Sequence, residues 1–342
     1  MSTWRARREA RAEGSAAAMR LWAKRGFDPE RPVDIFAIIE EERIWLMFQP
    51  LQHLFGFYAR EQLPGEEVTG IVLHNGHPLS VQRFTAAHEY GHHVLRHDVS
   101  VDSETEVYGG GELPPQELAA QSFAADFLMP LQMVIRALRR LGLPESPEEL
   151  DPVQAYQLSL ELGASYTAAV TQLANLNRIS WENARALRRH QPIELKTMLG
   201  GGRRPQSPRS DVWAFDDRTR DRLLAIRAGD ELHVRLPEIP SGGFRWDVEL
   251  SDAAPALELL ADELEPLELE VAQRFGNGRR RHLWWRAIGP GRGSMTLALR
   301  RPWEGIDGRP ADVFTVGITV EGHRTGEVDH GSSWRQRDLV AA

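Results

Sequence analysis

The spacing of apolar residues changes once along this 342-residue chain, and that change divides it. In the first part apolar positions recur at three- and four-residue intervals, as helices require. From Glu231 onward, ELHVRLPEI, FRWDVEL, HLWWRAIG, SMTLALRR and VFTVGITV alternate apolar and polar residues between Gly/Pro turns, the pattern of half-buried strands. Between the two lies GGGRRPQSPRS, whose Gly, Pro, Ser and Arg content cannot build a core and reads as a flexible linker over 199–211. The chain is therefore expected to hold a helix-rich part and an all-β part, in keeping with a length of about two domains.

Within the first part, AAAMRLWAKRGF and VDIFAIIEEE read as helices, RIWLMFQP as a short strand and IVLHN as an edge strand. Small β-structure ahead of further helices predicts an α+β domain. Residues 1–15 and 326–342 read as disordered. DPVQAYQLSLELGASYTAAVTQLANLNRIS reads as short helices broken at Gly163, loosely patterned like a helix-turn-helix. Its second helix, from Tyr166 to Leu176, contains no Lys or Arg to hold phosphates, which argues against DNA binding and for a helical subdomain.

The chemistry concentrates in FTAAHEYGHHVLRH. Phe84, Ala87, Gly91, Val94 and Leu95 recur at helical spacing, so an amphipathic helix is expected, with His88 and His92 on one face. Residues four apart on a helix have Cβ atoms ~5–6 Å apart, which lets two neutral imidazoles converge on one tetrahedral zinc at ~2.0–2.1 Å. Glu89, a third of a turn on, is placed to serve as a base toward water rather than as a ligand. Composition alone would produce about 0.06 such patterns in a chain of this length, so a chance His pair on a core helix is the weaker reading. A catalytic zinc needs a third protein ligand. A second helix, PPQELAAQSFAADFLMP, starts at Pro114 and Pro115, ends at Pro130, and carries Glu117 in its first turn.

These two helices together resemble the ImmA/IrrE family of metallo-endopeptidases, over roughly residues 18–190. The resemblance implies a zincin-like fold, one Zn²⁺ held by His88, His92 and Glu117, and Glu89 as the general base. Phe123, Ala124, Leu128, Met129 and Pro130 fill the rest of the second motif. Gln121 and Ala119 depart from residues common in the family at those positions. Glu112, Glu106 and Asp126 are the alternative third ligands. His93, His97, His74 and His77 are read as solvated or hydrogen-bonded histidines; His97 could instead orient a ligand, but its helical angle sets it off the zinc face. His97 and Tyr108 are the two weak candidates for an oxyanion donor.

Composition narrows the rest. With no cysteine there is no disulfide, thiolate zinc site or thiol nucleophile, so a metal site must use His and carboxylate. The formal net charge of −8 opposes a broad grip on nucleic acid and favours protein partners. No apolar run approaches the ~20 residues of a membrane span, and the charged N-terminus lacks a signal-type apolar segment, so the expected location is cytoplasmic.

In the second part, IPSGGFRW, FGNGRRRHLWW and LALRRPWE follow the order and spacing of the three binding loops of chagasin-type cysteine-protease inhibitors, which are immunoglobulin-like sandwiches. Pro240, Ser241, Gly243 and Phe244 keep the shape of the first loop, whereas Ile239 and Gly242 depart from it. Gly276 and Gly278 match the middle loop, and Arg301, Pro302 and Trp303 the last. A glycine-rich wedge flanked by an exposed Trp suits a papain-like cleft. The same surface can instead recruit a protein partner.

The expected organisation is a zinc metallopeptidase domain at 18–145, a helical subdomain at 146–198, the linker, a chagasin-like sandwich at 212–325 and a tail at 326–342. The expected function is cleavage of a specific regulatory protein, of the transcriptional-repressor kind that the resemblance implies. The competing reading is a non-catalytic zinc-binding regulator, or an inhibitor acting through the sandwich.

Overall fold

The computed structural model describes residues 3–63, 66–97, 113–147, 150–250, 257–266, 279–304 and 309–321. The described chain divides into two compact units, residues 1–189 and 190–323. It is a mixed α+β protein.

The first unit begins with a long helix, α1 (Thr3–Arg25), followed by α2 (Ile35–Glu41). A three-stranded sheet follows, built from β1 (Trp45–Gln49), β2 (Gly56–Leu63) and β3 (Glu66–His74). Its order is β1-β3-β2, with β3 parallel to β1 and antiparallel to β2. Ile71 and Leu73 of β3 and Tyr58 of β2 are buried. The strand expected at the edge, IVLHN, is thus central, because β2 pairs along its other side. β2 escaped the sequence reading since Arg60, Glu61 and Gln62 break up its apolar pattern.

The disorder expected for residues 1–15 is also corrected. α1 begins at Thr3 and packs on α4 (Pro115–Leu128) through Ala10, Gly14, Ala17, Ala18 and Trp22. This face is built of small residues, which carry little hydropathy signal but let backbones approach. A Cβ on Gly14 would lie 2.0 Å from the Ala119 carbonyl oxygen.

α3 (Leu79–Leu95) runs through the middle of the unit, with every residue from Thr85 to His92 buried. It is therefore enclosed on all sides rather than amphipathic, and its polar groups need internal partners. Gln82 Nε2 donates to the His77 carbonyl at 3.0 Å, closing the turn from β3. The Arg83 guanidinium donates to the carbonyls of Gly163 (2.7 Å) and Val33 (2.8 Å). α5 (Leu131–Arg140) follows α4 after a 41° bend at Met129 and Pro130. α6 (Pro152–Glu161), α7 (Tyr166–Asn175) and α8 (Trp181–Leu187) complete the unit. Gly163, at φ +60°, makes the expected break between α6 and α7. No single described helix is long and apolar enough to cross a membrane.

The second unit opens with α9 (Pro192–Leu199) and continues with eight strands. They are β4 (Val212–Asp216), β5 (Arg222–Arg227), β6 (Glu231–Glu238), β7 (Arg245–Leu250), β8 (Leu257–Leu264), β9 (Arg279–Ala287), β10 (Gly291–Arg300) and β11 (Asp312–Glu321). Two four-stranded sheets form, ordered β5-β11-β10-β7 and β4-β6-β9-β8. β4–β6 and β5–β11 pair in parallel, and the remaining neighbours are antiparallel. Residues from both sheets share one core, including Val234, Leu283 and Trp285 from one and Trp246, Leu297, Phe314 and Val316 from the other.

The stretch 199–211, read from composition as a linker, is hydrogen-bonded to these strands. The Leu199 carbonyl accepts from His233 Nδ1 (2.6 Å) and the Gly200 carbonyl from Trp284 Nε1 (2.8 Å). Lys196 Nζ donates to the carbonyls of Pro208 (3.0 Å) and Ser210 (2.8 Å). Glycines here permit tight turns, with Gly201 at φ +66° set against the His233 ring, rather than freedom. The tail at 326–342 lies outside the described residues.

Candidate metal centre

α3 presents His88 and His92 one turn apart, and α4 crosses it so that Glu117 meets them. Gly91 allows this approach, since a Cβ there would stand 3.0 Å from Phe123 Cδ1 and 3.3 Å from the Ala120 backbone. His88 Nε2 lies 3.1 Å from Glu117 Oε2, His92 Nε2 lies 3.2 Å from His88 Nε2, and His92 Nε2 lies 3.4 Å from Glu117 Oε2. A tetrahedral ion with ligands at ~2.0–2.1 Å needs donor atoms ~3.3 Å apart. All three edges of this triangle match, so the residues fit one zinc.

Among the described residues this is the one group of three His, Asp or Glu side chains arranged to hold a metal. All three are buried. Burial pushes the Glu117 carboxyl up, but hydrogen bonds and charge from His88 and His92 outweigh it and hold the group well below the usual carboxylate range. Glu117 is therefore an anion facing two imidazoles. Glu89, next to His88 on α3, is 1% exposed and stands outside the triangle.

The alternative ligands do not join it. Asp126 accepts from Gln172 Nε2 at 2.7 Å, a tie from α4 to α7, and Glu106, Tyr108 and Glu112 lie outside the described residues. Three of the other histidines have local partners. His93 Nδ1 is 3.1 Å from the Tyr58 hydroxyl, His74 Nδ1 accepts from the Gly76 N–H, and His77 stacks on Phe55. His97 differs from its expected role as an off-face residue. It is buried, with Nδ1 3.0 Å from His92 Nδ1.

In the second unit, Pro240–Gly242 forms a 3₁₀ turn and Gly243 adopts φ +73°. A Cβ on Gly243 would lie 2.0 Å from Trp303 Cη2, so only glycine lets the indole lie over this backbone. Arg301 Nε donates to the Gly242 carbonyl at 3.1 Å, and the Arg301 guanidinium sits 4.5 Å from the Phe244 ring centre. The structure thus brings the β6–β7 loop and the β10–β11 connection together. Pro240, Ser241 and Pro302 are exposed, and Trp303 is 71% exposed rather than part of the core. Gly276 and Gly278 lie outside the described residues.

Comparison with known proteins agrees with both halves. Residues 44–173 match the family model of the IrrE N-terminal-like domain, a peptidase family. Residues 225–318 match the chagasin family of peptidase inhibitors. The two matched segments do not overlap. Neither match spans half of the chain. Similar solved structures include the cysteine protease inhibitor EhICP2 of Entamoeba histolytica, at 19% identity over 34% of this chain and 100% of that one, with a TM-score of 0.29. Amebosin is similar at 23% identity over 32% and 98%, with a TM-score of 0.23. PbICP-C in complex with falcipain-2 is similar at 14% identity over 33% and 91%, with a TM-score of 0.20. Among curated proteins no match was found.

Proposed function

We propose that this chain is a zinc-dependent endopeptidase of zincin-like architecture, carrying an immunoglobulin-like module that engages a papain-like cysteine protease. The observation that carries the peptidase reading is the triangle of His88, His92 and Glu117, sized for one zinc and set beside Glu89. When bound, zinc would supply Lewis-acid activation of the scissile carbonyl and of water.

The chain's own residues do the remainder. His88 and His92 would offer Nε2 as neutral donors, and the Glu117 carboxylate would offset part of the metal's charge. Glu89 takes a proton from the attacking water and delivers it to the departing amine nitrogen. Its burial keeps the carboxylate from wandering into bulk solvent. The substrate is proposed to be a specific regulatory protein, of the repressor kind, by analogy with the resembling family. For the second unit, support comes from the family match and from Trp303, an exposed aromatic anchor that lies against Gly243.

Elemental analysis of the purified protein tests the metal reading. About one zinc per chain is expected for the wild type and for Glu89→Gln, with loss in Glu117→Ala. Loss in Glu89→Gln with retention in Glu117→Ala would exchange their assigned roles. No zinc in the reloaded wild type would end the hydrolase reading.

A further inference from the structure

α3 ends in a way that brings a third histidine to the site. Arg96 adopts φ +56°, ψ +40°, the left-handed conformation. Its N–H donates to the His93 carbonyl at 3.1 Å, and the N–H of His97 donates to the His92 carbonyl at 3.0 Å. This pair of bonds is the Schellman turn, in which the residue after the left-handed one folds back over the residue five before it. That contact is ordinarily apolar. Here it joins two imidazoles, His97 Nδ1 and His92 Nδ1, at 3.0 Å, with the rings edge to face.

We infer that His97 is a positioning residue that fixes the tautomer and ring orientation of His92. The inference rests on the metal-centre reading. For His92 to offer Nε2 to a metal as a neutral ring, its proton must sit on Nδ1. That N–H then donates to His97 Nδ1, which must carry a lone pair, so His97 holds its own proton on Nε2. Metal-ligating histidines commonly donate their second N–H to a carboxylate, a backbone carbonyl or water, and loss of that acceptor typically weakens metal binding about 10–100-fold. Here an imidazole supplies the acceptor.

The left-handed turn supplies the placement. Had the helix continued, a residue five positions on would project away from the metal face; because α3 stops at Leu95, it returns.

The test compares zinc affinity of the full chain with that of three variants, by competition with a chromophoric chelator. His97→Asn keeps an acceptor close to the position of Nδ1, His97→Leu keeps bulk without an acceptor, and His97→Ala keeps neither. The expected result is affinity within about threefold of wild type for His97→Asn and a loss of about 10–100-fold for His97→Leu and His97→Ala. Thermal unfolding of the zinc-free proteins gives the structural contribution separately. In the zinc-loaded wild type, long-range ¹H–¹⁵N spectra should show a neutral His97 with its proton on Nε2. Wild-type affinity in His97→Leu, or a His97 proton found on Nδ1, would overturn the inference while leaving the metal centre intact. A wild type that binds no zinc would overturn both.

Discussion

His233 shows how one buried residue shapes the pH response of the β unit. Fully buried, its Nδ1–H donates to the Leu199 carbonyl, its Nε2 faces His282 Nδ1 at 3.0 Å, and its ring stacks on Trp284. Burial above all, with a further contribution from His282, brings it down to about 4. Unfolded, it titrates near ~6.5. Between these values the unfolded chain binds the extra proton, so this stability is complete above ~6.5 and is lost as pH falls toward ~4, by up to about 3 kcal/mol. Asp230, pushed up to about 7 mainly by burial and then by Asp211, opposes this slope, because the unfolded chain releases that proton first. The stability of wild type minus that of His233→Phe, from urea melts, cancels the Asp230 contribution and should rise with pH from ~4 to ~6.5. A flat difference would show that His233 is not held neutral. At this scale the sequence showed His88 and His92, since their spacing is set by one helical turn. Glu117 needed a second motif, because a helix crossing joins it to them. His97 was read as a hydrogen-bonded histidine that could orient a ligand but set off the zinc face, and the angle argument failed because it assumed a helix continuing past Arg96, where a left-handed arginine gives no warning.

Among the elements, legibility followed burial and regularity. The central strands β6, β9, β10 and β11 alternate visibly, as does edge strand β7. The other edges of the two sheets went unread. β5 carries apolar residues on both faces, with Leu223 exposed and Leu224 and Ile226 inside. β8 has a register shift between Leu259 and Ala261 that turns its two-residue period into three, so LELLADEL looks helical. α9 and the strap after it were misplaced, because composition reports neither the Lys196 ammonium nor the Trp284 indole that holds them. A fragment spanning 190–323 should therefore be more stable than one spanning 212–323. The shorter piece loses the carbonyl acceptors of His233 and Trp284, at about 0.5–1.5 kcal/mol for each hydrogen bond exchanged for water. Equal unfolding midpoints for the two fragments would show that the strap contributes nothing.

At the scale of the whole molecule, one chain combines a helix-rich unit in which His88, His92 and Glu117 are arranged to hold a metal with a β unit that matches the chagasin family model. The change of apolar period gave this division, and composition confined the metal site to His and carboxylate. X-ray absorption at the zinc edge of the loaded protein reads out whether His88, His92 and Glu117 hold one zinc. Two imidazole nitrogens at ~2.0–2.1 Å and oxygen ligands at ~2.0–2.2 Å are expected, with fewer imidazoles when His92 is changed to Ala. A shell of oxygens alone, or a spectrum unchanged in His92→Ala, would contradict it.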